Sequence, residues 1–142
     1  MGPPRIVLET NIWISALRSR RGASHRLLSL IGSGRFRFAL STALVLEYED
    51  AAKRQSSELV FTGEEIDRLL DILCAKAVQS RSFYLWRPVL PDPGDDFVLE
   101  LAVASGAKFI VTYNKKHFTA AGRFGVRAVD AKECLQLIGE VP

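Results

Sequence analysis

The chain has 142 residues, 48% of them hydrophobic, enough for one domain with a real core over 1–142 and too few for two. Its 19 basic and 16 acidic residues leave a net charge of +3, so net charge alone does not mark a nucleic-acid binder and the distribution must decide. No apolar run approaches the ~20 residues of a membrane span, and no charged segment precedes a signal-like apolar block, so a soluble cytoplasmic protein with no membrane partner is expected.

Ile6, Val7 and Leu8 read as a buried strand, and Glu9 directly after them is a carboxylate that needs a partner. The stretch "RSRRGAS" reads as a basic loop, with Ser24 expected to cap a helix carrying Leu27, Leu28 and Ile31 that stops at "GSGR". "FRFALS" alternates like a strand. From Thr42 to about Arg54, Leu44, Tyr48, Ala51 and Ala52 share one helical face, Glu49 and Lys53 pair on the other, and Glu47 sits at the margin. "TGEEIDRLLDILCAKA" is a helix with a Thr62/Glu65 capping box.

"FYLW" is read as a short strand and "RPVLPDPGDD" as a proline-broken loop that feeds an almost wholly apolar helix over 96–105, ended by Gly106. "KFIVT" is a second buried strand, "YNKKHF" its outgoing loop and "VRAV" a last strand. Asp130 and Glu133 then cap a final helix carrying Ala131, Cys134, Leu135 and Ile138. Cys74 and Cys134 have no metal or redox spacing and read as reduced core residues, while His25 and His117 read as surface or packing residues. Strands and helices alternate throughout, which predicts a parallel sheet covered by helices on both faces, with ligands beyond the carboxyl ends of its strands.

Glu9 and Asn114 fall at carboxyl ends of strands, on one edge of such a sheet. Asp95 and Asp96 open the buried helix, and Glu47 rides on a helix entered from the same edge, so four acids and an amide are expected to meet in one cleft. Crowded carboxylates repel unless a cation neutralises them, and an all-oxygen cluster suits Mg²⁺ or Mn²⁺. Each residue also has a plain role: a helix cap for Asp95 or Asp96, a solvated margin for Glu47, an arginine pair for Glu9, a turn for Asn114.

With these residues assembled, the sequence resembles the PIN-domain ribonucleases, in particular toxins of toxin–antitoxin pairs, from "IVLETNIWISAL" through "DPGDDFVLELAVASGAKFIVTYNKKHF". In that family an acid followed by Thr-Asn ends the first strand, matched by Glu9, Thr10 and Asn11. Glu47 after Ser41 matches the helix glutamate, Asp95 and Asp96 match the acids of the buried helix, and Asn114 the position after the second apolar strand. The resemblance implies a three-layer α/β/α sandwich with a central parallel sheet, RNA as substrate, a small antitoxin protein as partner, and leaves a homodimer open. It also implies that Glu9, Glu47, Asp95 and Asp96 hold the metal, Asn114 positions water, and Thr10, Asn11, Ser41 and Thr112 support them. Arg18, Arg20 and Arg21, with Lys115 and Lys116, are expected on the same edge as a basic rim that contacts RNA.

The family's first acid is usually Asp, and here Glu9 adds a methylene; its fourth acidic position is Asn114, which carries no charge. These two departures support the alternative of a PIN-fold module that is catalytically weak or silent and grips RNA or a partner protein. A Mg²⁺-dependent phosphatase ranks third, because it needs a nucleophilic Asp where the chain has Glu9.

Overall fold

A computed structural model describes residues 2–79 and 93–140, with 79 and 93–96 as backbone. Its strands are β1 (Arg5–Leu8), β2 (Arg37–Leu40), β3 (Val78–Gln79), β4 (Phe109–Val111) and β5 (Arg127–Val129). The helices are α1 (Thr10–Arg18), α2 (Ala23–Ser29), α3 (Thr42–Arg54), α4 (Gly63–Lys76), α5 (Pro93–Ser105) and α6 (Ala131–Leu137), with 3₁₀ segments at Ser56–Glu58 and Lys115–Phe124. The strands form one sheet in the order β3-β2-β1-β4-β5, every pair parallel.

Helices cover both faces: α5 packs on β1, β2 and β4, while α1 packs against α2 and α3, and α2 against α6. The central strands are therefore apolar on both sides, with Ile6, Val7, Ile110 and Val111 wholly buried. The same is true of β2, where alternation was expected: Phe38, Ala39 and Leu40 are all buried, because a helix layer lies on each face of the strand.

Local signals formed as their chemistry dictates. Thr62 with Glu65 and Asp130 with Glu133 both make reciprocal capping boxes. α5 opens on Pro93, three residues before the start expected at Asp96, because the N–H that proline lacks costs nothing at a helix start. It ends where Gly106 takes φ +71°, the Gly106 N–H bonding to the Val103 carbonyl and the Ala107 N–H to the Ala102 carbonyl.

Three further elements differ from expectation. Residues 10–18 form α1 directly after β1, with Ile12, Trp13, Ala16 and Leu17 buried. Ser24 does not cap α2; it lies buried inside that helix, its hydroxyl 2.6 Å from the Tyr113 hydroxyl. "YNKKHF" leaves β4 as a turn but becomes 3₁₀ from Lys115.

The cysteines differ. Cys134 is buried and its thiol is pushed up to about 12 by loss of solvent, whereas Cys74 is only half-buried. The "FYLW" strand and residues 87–92 of the proline-rich loop lie outside the described residues. Among those described, no helix is long and apolar enough to cross a membrane.

Candidate functional site

The strand order reverses direction between β1 and β4, so a crevice opens beyond their carboxyl ends. Glu9 sits at its mouth. Its N–H donates to the Val111 carbonyl at 2.9 Å, carrying the β1–β4 ladder one residue past β1. Its carboxylate Oε2 accepts the Asn11 N–H at 3.0 Å, so Glu9 is also the N-cap of α1. It is half-buried at the rim rather than enclosed.

Glu47 reaches the same place from α3. Ser41 starts that helix, its Oγ accepting the Leu44 N–H at 3.2 Å, and Glu47 is the sixth helical residue. The Thr10 hydroxyl donates to Glu47 Oε1, fixing the carboxylate against the start of α1. On the next residue, the buried Tyr48 hydroxyl donates to the Leu8 carbonyl, while Trp13 Nε1 donates to the Tyr48 carbonyl at 3.0 Å. The two rings stack with centroids 5.3 Å apart. Burial raises the Tyr48 pKa most, and the charges of Glu9 and then Glu47 raise it further. Two carboxylates that act on one phenol lie beside the same carboxyl end of β1.

The β4 exit is tied to this pair through Thr112, which is fully buried. Its Oγ1 accepts Asn11 Nδ2 at 3.2 Å and the Asn114 N–H at 3.0 Å, while Asn11 Oδ1 accepts the Tyr113 N–H at 3.2 Å. Asn11 therefore staples α1 to the loop that carries Asn114, whose side chain is exposed beside the crevice. Asp95 and Asp96 are the third and fourth residues of α5. That helix ends at the amino edge of the sheet, where the Ser105 carbonyl accepts from Arg5 Nη1, so its first turn lies toward the carboxyl edge, ~20 Å away at 1.5 Å per residue. Among the described residues, no group of three or more His, Cys, Asp or Glu side chains converges. Glu9 and Glu47 are the acids that the described residues bring together.

The PIN domain profile matches residues 5–116, more than half of the chain. The chain belongs to the PIN domain family. Solved structures with the same fold include VapBC2 from Rickettsia felis bound to a DNA fragment from their promoter (TM-score 0.58, 17% identity, covering 89% of this chain and 98% of that one). VapBC-1 from nontypeable Haemophilus influenzae is similar at TM-score 0.57 and 17% identity, over 90% of this chain and 98% of the other. A PilT N-terminus domain protein from Sulfolobus solfataricus P2 is similar at TM-score 0.56 and 18% identity, over 97% and 96%. No curated protein matches the chain.

In this PIN domain the basic residues of the expected rim are dispersed. Arg18 ends α1, ~13 Å of helix beyond Glu9, and pairs with Glu58 at 3.0 Å. Arg20 lies 3.8 Å from Glu65 and 4.5 Å over the Phe61 ring, and Arg21 follows in the exposed turn before α2. α1 carries all three away from the Glu9 edge, where a simple loop had been expected to keep them. Lys115 and Lys116 do follow Asn114, but Lys115 Nζ is 2.6 Å from Glu133, which raises the Lys115 pKa and lowers that of Glu133.

Sequence reasoning missed Tyr48 and Trp13 as site-building residues. Both were legible only as apolar bulk, although a buried phenol or indole must find a partner for its polar atom. It also missed Arg54, which with Arg18 and Gln55 lines a groove of about 270 Å³ between α1 and α3 that starts at Thr10 and Asn11.

Proposed function

We propose that this PIN domain is a divalent-metal-dependent endoribonuclease, the toxin of a toxin–antitoxin pair. The observation that carries it is the meeting of Glu9 and Glu47 at the switch point of the sheet, each oriented by the first residues of α1. The donor set fits Mg²⁺ or Mn²⁺, since all-oxygen sites of one or two protein carboxylates completed by water and phosphate are what these hard cations accept. Glu9 and Glu47 would hold the ion, with Asp95 and Asp96 of α5 in support. When bound, such an ion supplies Lewis-acid activation of water and neutralises charge that builds on the phosphodiester.

The chain's own residues do the rest. Thr10 holds Glu47 in one orientation, Asn11 and Thr112 fix the loop so that the Asn114 amide can orient water, and in the α1–α3 groove an RNA phosphate would compete with Glu58 for Arg18 and with Asp50 for Arg54. The VapBC neighbours support an antitoxin as partner.

One observation favours the second reading, a non-cleaving module that grips RNA or a partner protein: one Glu9 oxygen is engaged by the Asn11 N–H, and Asn114 adds no charge. Incubating labelled RNA with the protein, with Mn²⁺ and then with a chelator, separates the two. Cleavage that the chelator abolishes supports the nuclease, and RNA binding without cleavage under either condition supports the module.

A further inference from the structure

At the amino edge of the sheet, opposite the crevice, β1 and β2 start on Arg5 and Arg37, and Lys108 immediately precedes β4. Arg5 of β1 stands level with Arg37 of β2. On the other side of β1, Ile6 stands level with Phe109 of β4, so Lys108 enters that strand beside Arg5. The Lys108 N–H donates to the Arg5 carbonyl at 2.8 Å and the Arg37 N–H to the Pro4 carbonyl at 2.9 Å. Residues level in register share a face, so Arg5 and Arg37 lie together on one face, Phe109, level with Ile6, belongs to the other, and Lys108 stands at the edge between them, one strand spacing of ~4.8 Å from Arg5.

These residues line a cavity of about 970 Å³, and among the described residues no carboxylate lines it. Arg5 is committed to the fold through its bond to the Ser105 carbonyl at the end of α5. Arg37 and Lys108 are exposed, and among the described residues neither makes an ion pair. The rest of the wall is apolar: Pro4, half-buried Phe109, and Leu137, which is 47% exposed. Cations beside an aromatic and aliphatic wall offer phosphates and a base what each requires, charge for one and a stacking surface for the other.

We infer that this edge is a second RNA-contacting surface, which holds a single-stranded segment with its phosphates on Arg37 and Lys108 and a base against Phe109 and Leu137. It is separate from the crevice, since the strands run between the two edges, and it takes RNA as its polyanion from the ribonuclease reading. An acidic peptide would also meet the cations, but has no use for the ring.

The test is fluorescence anisotropy with a single-stranded RNA of about 15 nucleotides in chelator, long enough to occupy a site of ~4–16 nucleotides. Arg37→Ala/Lys108→Ala should raise Kd about tenfold and make the log–log salt slope shallower by about 0.7 for each phosphate that is no longer neutralised. Phe109→Leu should raise Kd without changing the slope, and Arg37→Lys/Lys108→Arg should bind as the unaltered chain does. Unfolding midpoints of all variants check that the fold is intact.

Unchanged affinity and slope in the alanine variant, or competition by poly-glutamate as strong as by RNA of equal charge, would overturn the inference. Metal-dependent cleavage of the same RNA is read in parallel. If cleavage occurs while the alanine variant binds normally, the ribonuclease reading survives and this surface does not; if no cleavage occurs but the slope falls, the reverse holds.

Discussion

The Tyr48 hydroxyl donates to the carbonyl of Leu8, so α3 is tied to the end of β1 between the residue before Tyr48, Glu47, and the residue after Leu8, Glu9. A helix residue is thereby locked to a strand end 40 positions earlier in the chain. Tyr48→Phe should cost about 1 kcal/mol, the net value of a buried hydrogen bond. It should also change the alkaline limb of stability. The Tyr48 pKa is raised in the folded chain above the ordinary 10.0, so its contribution is complete below about pH 10 and is lost as pH rises from there toward the folded value. Denaturant midpoints across this range should fall less steeply for Tyr48→Phe than for the unaltered chain.

Thr10 tests the orientation of Glu47. Thr10→Val keeps the shape of a buried side chain but removes the donor to Glu47 Oε1. A carboxylate misplaced by ~1 Å should lower metal-dependent cleavage roughly ten- to a hundredfold while the unfolding midpoint moves little. Thr10→Ser should restore the rate. Equal losses in the valine and serine variants would make Thr10 a packing residue only.

Glu9→Asp shortens the acid by the methylene that the family lacks. Asp is a preferred N-cap and Glu is not, so α1 should be at least as stable, and the carboxylate should sit closer to the strand end. Cleavage in Mn²⁺ should rise. A lower rate would mean that the crevice is built around the longer side chain.

Lys115 and Lys116 should separate in RNA binding. Lys115 is engaged by Glu133 and Asp130, so Lys116→Ala should weaken RNA binding more than Lys115→Ala, as measured by filter binding at several salt concentrations. Lys115→Ala should appear instead in acid stability. The hydrogen bond from Lys115 lowers the Glu133 pKa first, and the backbone bond from Asp130 adds to it. The stability linked to Glu133 is therefore present above the ordinary carboxylate range and lost as pH falls through the lowered folded value. Removing Lys115 should shift that loss to higher pH.

What the sequence made legible was short-range. The capping boxes of α4 and α6 use residues three apart, and the apolar strand at 6–8 reads from composition, so each appeared where expected. α1 was hidden because Ile12, Trp13 and Ile14 continue the apolar run of β1 with residues that favour strands. Its helical state is set by the Glu9 cap and by burial against α2 and α3. With α1 unseen, Arg18, Arg20 and Arg21 were expected directly beside Glu9, whereas Arg18 stands at the far end of α1 and Arg20 and Arg21 beyond it. Ser24 looked like a cap on local grounds, but its partner, Tyr113, is 89 residues away. That Glu9 and Glu47 lie toward one edge is an expectation from topology alone; the Tyr48 and Thr10 bonds that tie α3 to the end of β1 span 40 and 37 residues and have no local signature.

At the centre of the proposed chemistry, Glu9 and Glu47 would jointly hold a divalent cation. Titration calorimetry of Mn²⁺ into the unaltered chain, Glu9→Gln, Glu47→Gln and the double variant tests this most directly. One saturable site is expected, which either single change weakens at least about tenfold, with the double variant little worse than the singles because both carboxylates serve the same ion. Mn²⁺ bound by Glu47→Gln with the affinity of the unaltered chain would contradict it.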